Sequence, residues 1–129
     1  MKVIECFERA LGFLPEEKGD DPSLLKFVVP WANQLLADTL EAENAIRESL
    51  GEPSLASPLF VSQTEEEIPY HSPLVEKAFP YGMARWLFRE DDDVSGSREY
   101  YSLFVAAVAE ATPYRFGEVR DVYREEETE

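Results

Sequence analysis

Proline sets the terms on which this chain can fold. Short polar phrases bearing proline alternate with apolar runs at helical spacing along most of its length. Proline lacks a backbone N–H and its ring clashes with the preceding turn, so it opens a helix well and sits badly inside one. Asp21-Pro22 and Ser72-Pro73 each place a capping residue before a proline suited to a first turn, and each predicts a helix start. Pro113 predicts a helix end. Pro30 and Pro80 fall inside apolar patterns and predict a kink or short break, the first of them near Val28 and Val29.

Between these punctuation marks the spacing is helical. Residues 2–13 carry Val3, Ile4, Phe7 and Leu11, which predict a short amphipathic helix ending near Gly12 and Pro15. Residues 16–20 read as a polar loop. Leu25, Val28, Ala32, Leu35, Leu36 and Thr39 carry a second helix on to Leu50, with Gly51 as its stop. Residues 53–58 read as a loop. Leu59, Phe60, Val61 and Ser62 read as a short extended segment. Such a segment needs a partner strand, from the tail of the same chain or from a neighbouring subunit. Leu74, Val75, Ala78, Phe79, Met83, Trp86 and Leu87 predict a third helix, bent where Gly82 follows Pro80. Residues 89–96 read as an acidic turn. The last helix is expected over residues 97–111, with Tyr100, Tyr101, Phe104, Ala107, Val108 and Ala111 as its apolar stripe. Its alanines at 106, 107, 109 and 111 favour helix and allow close approach of a neighbour. Residues 114–123 read as extended, and 125–129 as disordered. The expected fold is all-α: a bundle of about four helices, two interrupted by proline, with a short extended segment and an extended C-terminal tail. The expected division is a helical domain over residues 1–113 and an extended or disordered arm over 114–129.

A length of 129 residues suits one domain, and a hydrophobic share of 44% is enough to build its core. The charge is lopsided: 27 acidic against 12 basic residues give −15. That disfavours nucleic-acid binding, which needs a positive footprint, and docking on an anionic membrane. The acids cluster at Asp20-Asp21, Glu65-Glu66-Glu67, Asp91-Asp92-Asp93 and Glu125-Glu126-Glu127. They read as solvated loops and a charged terminus. A second reading is an acidic surface that keeps off DNA passing nearby. Cys6 is the sole cysteine, which excludes an intrachain disulfide and fits a reducing cytosol. Glu5, Glu8 and Arg9 break up any signal-peptide core, and no apolar run approaches a membrane span.

No constellation for catalysis emerges. His71, the sole histidine, reads as a capping or turn residue, and one histidine with one cysteine makes a poor metal site. Asp91-Asp92-Asp93 offers oxygen ligands for a hard cation but lacks the alternating ligands and closing glutamate of a calcium loop, so it reads as an exposed turn. Ser57, Ser62 and Ser72 lack the flanking glycines of a nucleophile elbow, and the glycines are too scattered to cradle phosphate. The expectation is therefore no catalytic, cofactor or metal residues. Trp31 and Trp86 read as core, with a partner-facing anchor as the alternative. Phe60 and Val61, together with Tyr114, Phe116, Val119, Val122 and Tyr123, are the candidate partner interface, because the tail aromatics follow the last helix with little core left to enter.

Four phrases occur in order: Ala32-Asn33-Gln34-Leu35-Leu36-Ala37, Glu66-Glu67-Ile68-Pro69-Tyr70, Pro80-Tyr81-Gly82-Met83-Ala84 and Val119-Arg120-Asp121-Val122-Tyr123. In these the chain resembles small structural proteins encoded beside the head and tail genes of tailed phages and prophages, and in particular the head–tail connector or adaptor family. The resemblance implies a non-enzymatic helical bundle that assembles as a homo-oligomeric ring beneath the portal. It implies the portal protein as partner on one side and a stopper or tail-completion protein on the other. It places the protein in the virion neck, and in the host cytoplasm during assembly, with DNA passing nearby without specific binding and no membrane. It also implies that residues 114–123 serve as a docking arm, and that Phe60 and Val61 pair with a partner strand. A different class competes: a free acidic helical regulatory protein that binds another protein through an amphipathic groove. A small carboxylate enzyme is the third reading, and it requires a deep pocket holding a carboxyl group of raised pKa.

Overall fold

Backbone satisfaction, more than proline placement, decides where each helix begins and ends. The computed structural model describes residues 1–15 and 22–113. Helix α1 spans Val3–Leu11 and buries Val3, Cys6, Phe7 and Ala10, the i, i+3, i+4, i+7 face. Its first free amides are met by a distant loop: Val3 N–H donates to the Glu66 carbonyl and Ile4 N–H to that of Thr64, each at 2.9 Å. The only β-type contact among the described residues is the isolated antiparallel bridge between Lys2 and Glu67. No strand forms there, and the architecture is an all-α bundle.

The second helix expected from the sequence is divided into three pieces. A 3₁₀ helix covers Pro22–Phe27, α2 covers Val28–Asp38 and α3 covers Leu40–Ser49. The break expected near Val28 falls at the 3₁₀-to-α junction. Pro30 then sits in the first turn of α2, where an N–H would have no helical partner in any case. The second break, at Thr39, carries no proline or glycine. Its N–H and its Oγ1 both donate to the Leu35 carbonyl, at 3.0 and 2.7 Å, and such back-bonding bends helices. Gly51, at φ +74°, follows α3 as its expected stop.

Helix α4 spans Ser72–Glu90 and is the spine, packed against α1, α2 and α5. His71 takes its N-cap position and Ser72 is already helical. Pro80 does not interrupt it. The carbonyl that loses a donor belongs to Glu76, an exposed residue, while Pro80 itself is buried as part of the packing face. Two residues on, a Cβ at Gly82 would overlap the Leu35 side chain and press on the Phe104 ring, so glycine here lets α2 and α5 close on the spine. The acidic turn is shorter than expected, covering Asp91, Asp92 and Asp93, with Asp92 in the left-handed region at φ +58°. Helix α5 spans Val94–Ala111, capped by Asp93 Oδ1, which accepts the Gly96 N–H at 2.8 Å. Phe79, Leu35, Leu36, Leu74, Met83 and Leu87 fill the centre of the core. Each such side chain contributes about 1.5–3 kcal/mol by leaving water.

Candidate interaction surface

The connection from α3 to α4, residues 50–71, has no regular structure, yet it is tied down along its length. Two asparagines do this. Asn44 on α3 donates Nδ2 to the Leu55 carbonyl at 3.0 Å and accepts the Leu55 N–H on Oδ1 at 2.7 Å. Asn33 on α2 treats Val61 the same way, at 2.9 and 2.8 Å. A carboxamide carries one donor edge and one acceptor edge, so it satisfies a backbone N–H and C=O pair as a neighbouring strand would. The extended segment therefore has its partner within the chain, and the partner is a side chain rather than a strand. Val61 turns inward and is buried, which places it in the core instead of at an interface. Phe60, its neighbour, faces outward with 61% of its surface exposed.

The rest of this strap is held by charge. Glu66 Oε1 accepts from the Ser62 hydroxyl at 2.7 Å and from the Ser62 and Gln63 amides at 3.1 Å. These bonds, the hydroxyl first, hold its carboxyl below the usual range. The Tyr70 hydroxyl donates to the Leu36 carbonyl at 2.6 Å. At the start of α4, the fully buried Glu43 meets the His71 amide at 2.9 Å, the His71 ring Nδ1 at 2.7 Å and Arg47 Nε at 2.7 Å. His71 Nε2 lies 3.0 Å from Glu52 Oε1. The bond to Glu43 raises the imidazole pKa. His71 thus stands at the N-cap position, as one of the expected readings had it, but its side chain makes no cap bond and is instead the hub of an ionic cluster that locks α3 to α4.

A row of rings with cations at one end and between its members crosses four elements. Lys26 lies over Phe27, Phe27 stacks on Trp31 at 5.1 Å, and Trp31 stacks on Trp86 at 5.7 Å. The Arg85 guanidinium then lies over both Trp86 and Tyr101, at 5.1 and 4.6 Å. Both tryptophans are half-buried and pack on the core, so they close the bundle's flank. Helix α5 leaves an apolar stripe uncovered, Val94, Tyr101 and Val105, with Tyr101 and Val105 each 47% exposed.

Two open grooves flank α5. One, of about 370 Å³, lies between α4 and α5 and is lined by Arg85, Arg89, Ser97, Arg98, Tyr101 and Ser102. The other, of about 570 Å³, is floored by Phe13, Pro80, Tyr81 and Ala107. Its rims carry the Arg9–Glu76 pair at 3.4 Å and Lys77–Glu110 at 4.0 Å. Neither the asparagine clips nor the arginine groove was foreseen. The groove had a signal in the sequence, since Arg85 and Arg89 stand at i, i+4 on one helix face. The asparagines had none, because their partners lie far along the chain.

Among the described residues no group of three or more histidine, cysteine, aspartate or glutamate side chains is placed to hold a metal ion. Asp91, Asp92 and Asp93 form the α4–α5 corner, where Asp93 is spent on its cap. No described helix is long and apolar enough to cross a membrane. Tyr114, Phe116, Val119, Val122 and Tyr123, like the loop at 16–20 and the cap at Asp21, lie outside the described residues. Comparison with family models, with curated proteins and with solved structures finds no match to this chain.

Proposed function

We propose that this protein is a non-enzymatic assembly subunit of the phage head–tail connector type, acting through rigidly presented side chains. The supporting observation is Phe60. Its neighbour Val61 is fixed to Asn33 through both backbone groups, while the Phe60 ring projects into solvent. An aromatic ring carried on a backbone that is already fixed spends less entropy on binding, which suits an interface anchor. The uncovered stripe on α5 adds a second apolar surface on the same small bundle. In this reading the portal protein and a stopper or tail-completion protein are the partners, and the net charge of −15 discourages adhesion to passing DNA. Mixing the protein with portal and imaging by negative stain, alongside native mass spectrometry, tests it. A ring-sized complex that Phe60→Ser weakens is expected. Failure of the wild-type protein to join the portal under any assembly condition sinks the reading.

The groove of about 570 Å³ favours a second reading, the acidic helical regulator. Its aromatic floor and paired ionic rims have the layout that receives an amphipathic helix. Changing Tyr81 and Phe13 to serine would then abolish partner binding while Phe60→Ser would not.

A further inference from the structure

The arginine groove carries charge that nothing described neutralises. Among the described residues no carboxylate forms an ion pair with Arg85, Arg89 or Arg98, in a chain whose net charge is −15. Arg85 is pre-positioned by its two ring contacts, with Trp86 and Tyr101. Ser97, Tyr101 and Ser102 add hydroxyls to the same groove. Planar guanidinium groups beside hydroxyls suit carboxylates. From Tyr101 in this groove the uncovered α5 stripe continues through Val105 to the half-buried Val108, toward the helix C-terminus.

We propose that the arginine groove binds the chain's own acidic segment, Glu125-Glu126-Glu127, with residues 114–123 laid back along the α5 stripe. Reach permits it. From Pro113 back to Arg98 the path along α5 is about 22 Å at 1.5 Å per residue. The ~11 residues 114–124 extend to about 36 Å. The apolar Tyr114, Phe116, Val119 and Val122 match the apolar character of the stripe. Tethering also decides between occupants. A free polyanion, such as a nucleic acid, meets the long-range repulsion of −15, whereas a tethered segment arrives at millimolar effective concentration.

The test uses the full chain carrying Thr128→Cys with a nitroxide label, since Cys6 is buried and stays unlabelled. The expected result is selective loss of the amide signals of Ser97, Tyr101 and Val105 in nitrogen-edited NMR spectra. Those signals return in Arg89→Gln/Arg98→Gln, in Glu125→Gln/Glu126→Gln/Glu127→Gln, and in ~1 M salt, where the screening length falls to about 3 Å. Uniform or absent broadening overturns the proposal. A mixture of isotope-labelled and nitroxide-labelled chains separates the remaining occupant. Broadening of the same amides in that mixture assigns the groove to a second copy, and it too overturns docking within one chain.

Discussion

His71 Nδ1 lies 2.7 Å from Oε2 of the fully buried Glu43, and this contact ties the start of α4 to the middle of α3. The groups that face it are Arg47 from α3, Glu52 from the connection and Tyr70 beside it. The imidazole pKa is raised in the fold, chiefly by the Glu43 bond. A raised value means that protonated His71 favours the folded state. That contribution is complete below the unfolded value of about 6.5 and is lost as pH rises through the native value. Thermal melting followed from pH 6 to 9 is therefore expected to fall with rising pH, and His71→Ala is expected to flatten that part of the curve. Glu43→Ala strands Arg47 and the His71 amide, and a loss of about 3 kcal/mol in urea unfolding is expected.

The clip between Asn33 and Val61 makes a separate prediction. Asn33→Ala leaves the Val61 N–H and C=O without their partner, and a buried unmet group costs about 1–3 kcal/mol. Amide exchange at Val61 should accelerate more than exchange at Leu74 in the core of α4. Asn33→Asp keeps the acceptor and loses the donor, so it should fall between alanine and wild type. Equal exchange at Val61 in all three proteins would show that the clip does not hold the strap.

The helices were readable because their apolar spacing is local, and Val3, Phe7, Leu35, Phe79 and Phe104 all fell where the pattern put them. Boundaries were less readable. Thr39 breaks a helix through a bond to its own preceding turn, a choice that threonine makes in some settings only. Pro80 was expected to kink or break α4, and the helix runs on without a break because the carbonyl that Pro80 frees lies on an exposed residue. The partner of the extended segment was hidden for a different reason. The segment's β-branched and aromatic residues do favour an extended backbone, yet the sequence around Val61 says nothing of a carboxamide 28 positions away. Phe60 was legible as a surface aromatic, whereas the inward turn of Val61 was not.

Gly82 tests how tightly α2 sits on α4. Alanine is the better helix former by about 1 kcal/mol, so on an exposed helix Gly82→Ala would stabilise. Here the new methyl meets Leu35 and Phe104, and overpacking of this kind costs about 1–3 kcal/mol. Net destabilisation in urea unfolding is expected. The added Leu35→Ala change should relieve part of the clash, giving a coupling that a double-mutant cycle can read. Simple additivity of the two changes would mean that the helices are free to move apart.

Cys6 turns the same core into a reporter. It is buried on α1 against the spine, and burial pushes its thiol pKa upward, so almost no reactive thiolate exists at neutral pH. Reaction with a disulfide reagent therefore requires that the α1 contact open. Opening of α1 needs the loss of its amide bonds to Glu66 and Thr64 as well as its apolar face, so it should be rare in the native protein. The labelling rate is expected to be slow in wild type and to rise in Asn33→Ala, Gly82→Ala and Glu43→Ala in the order of their lost stability. If Gly82→Ala labels at the wild-type rate despite lower stability, α1 opens on its own, and the α2–α4 contact and the α1 docking are separate cooperative units.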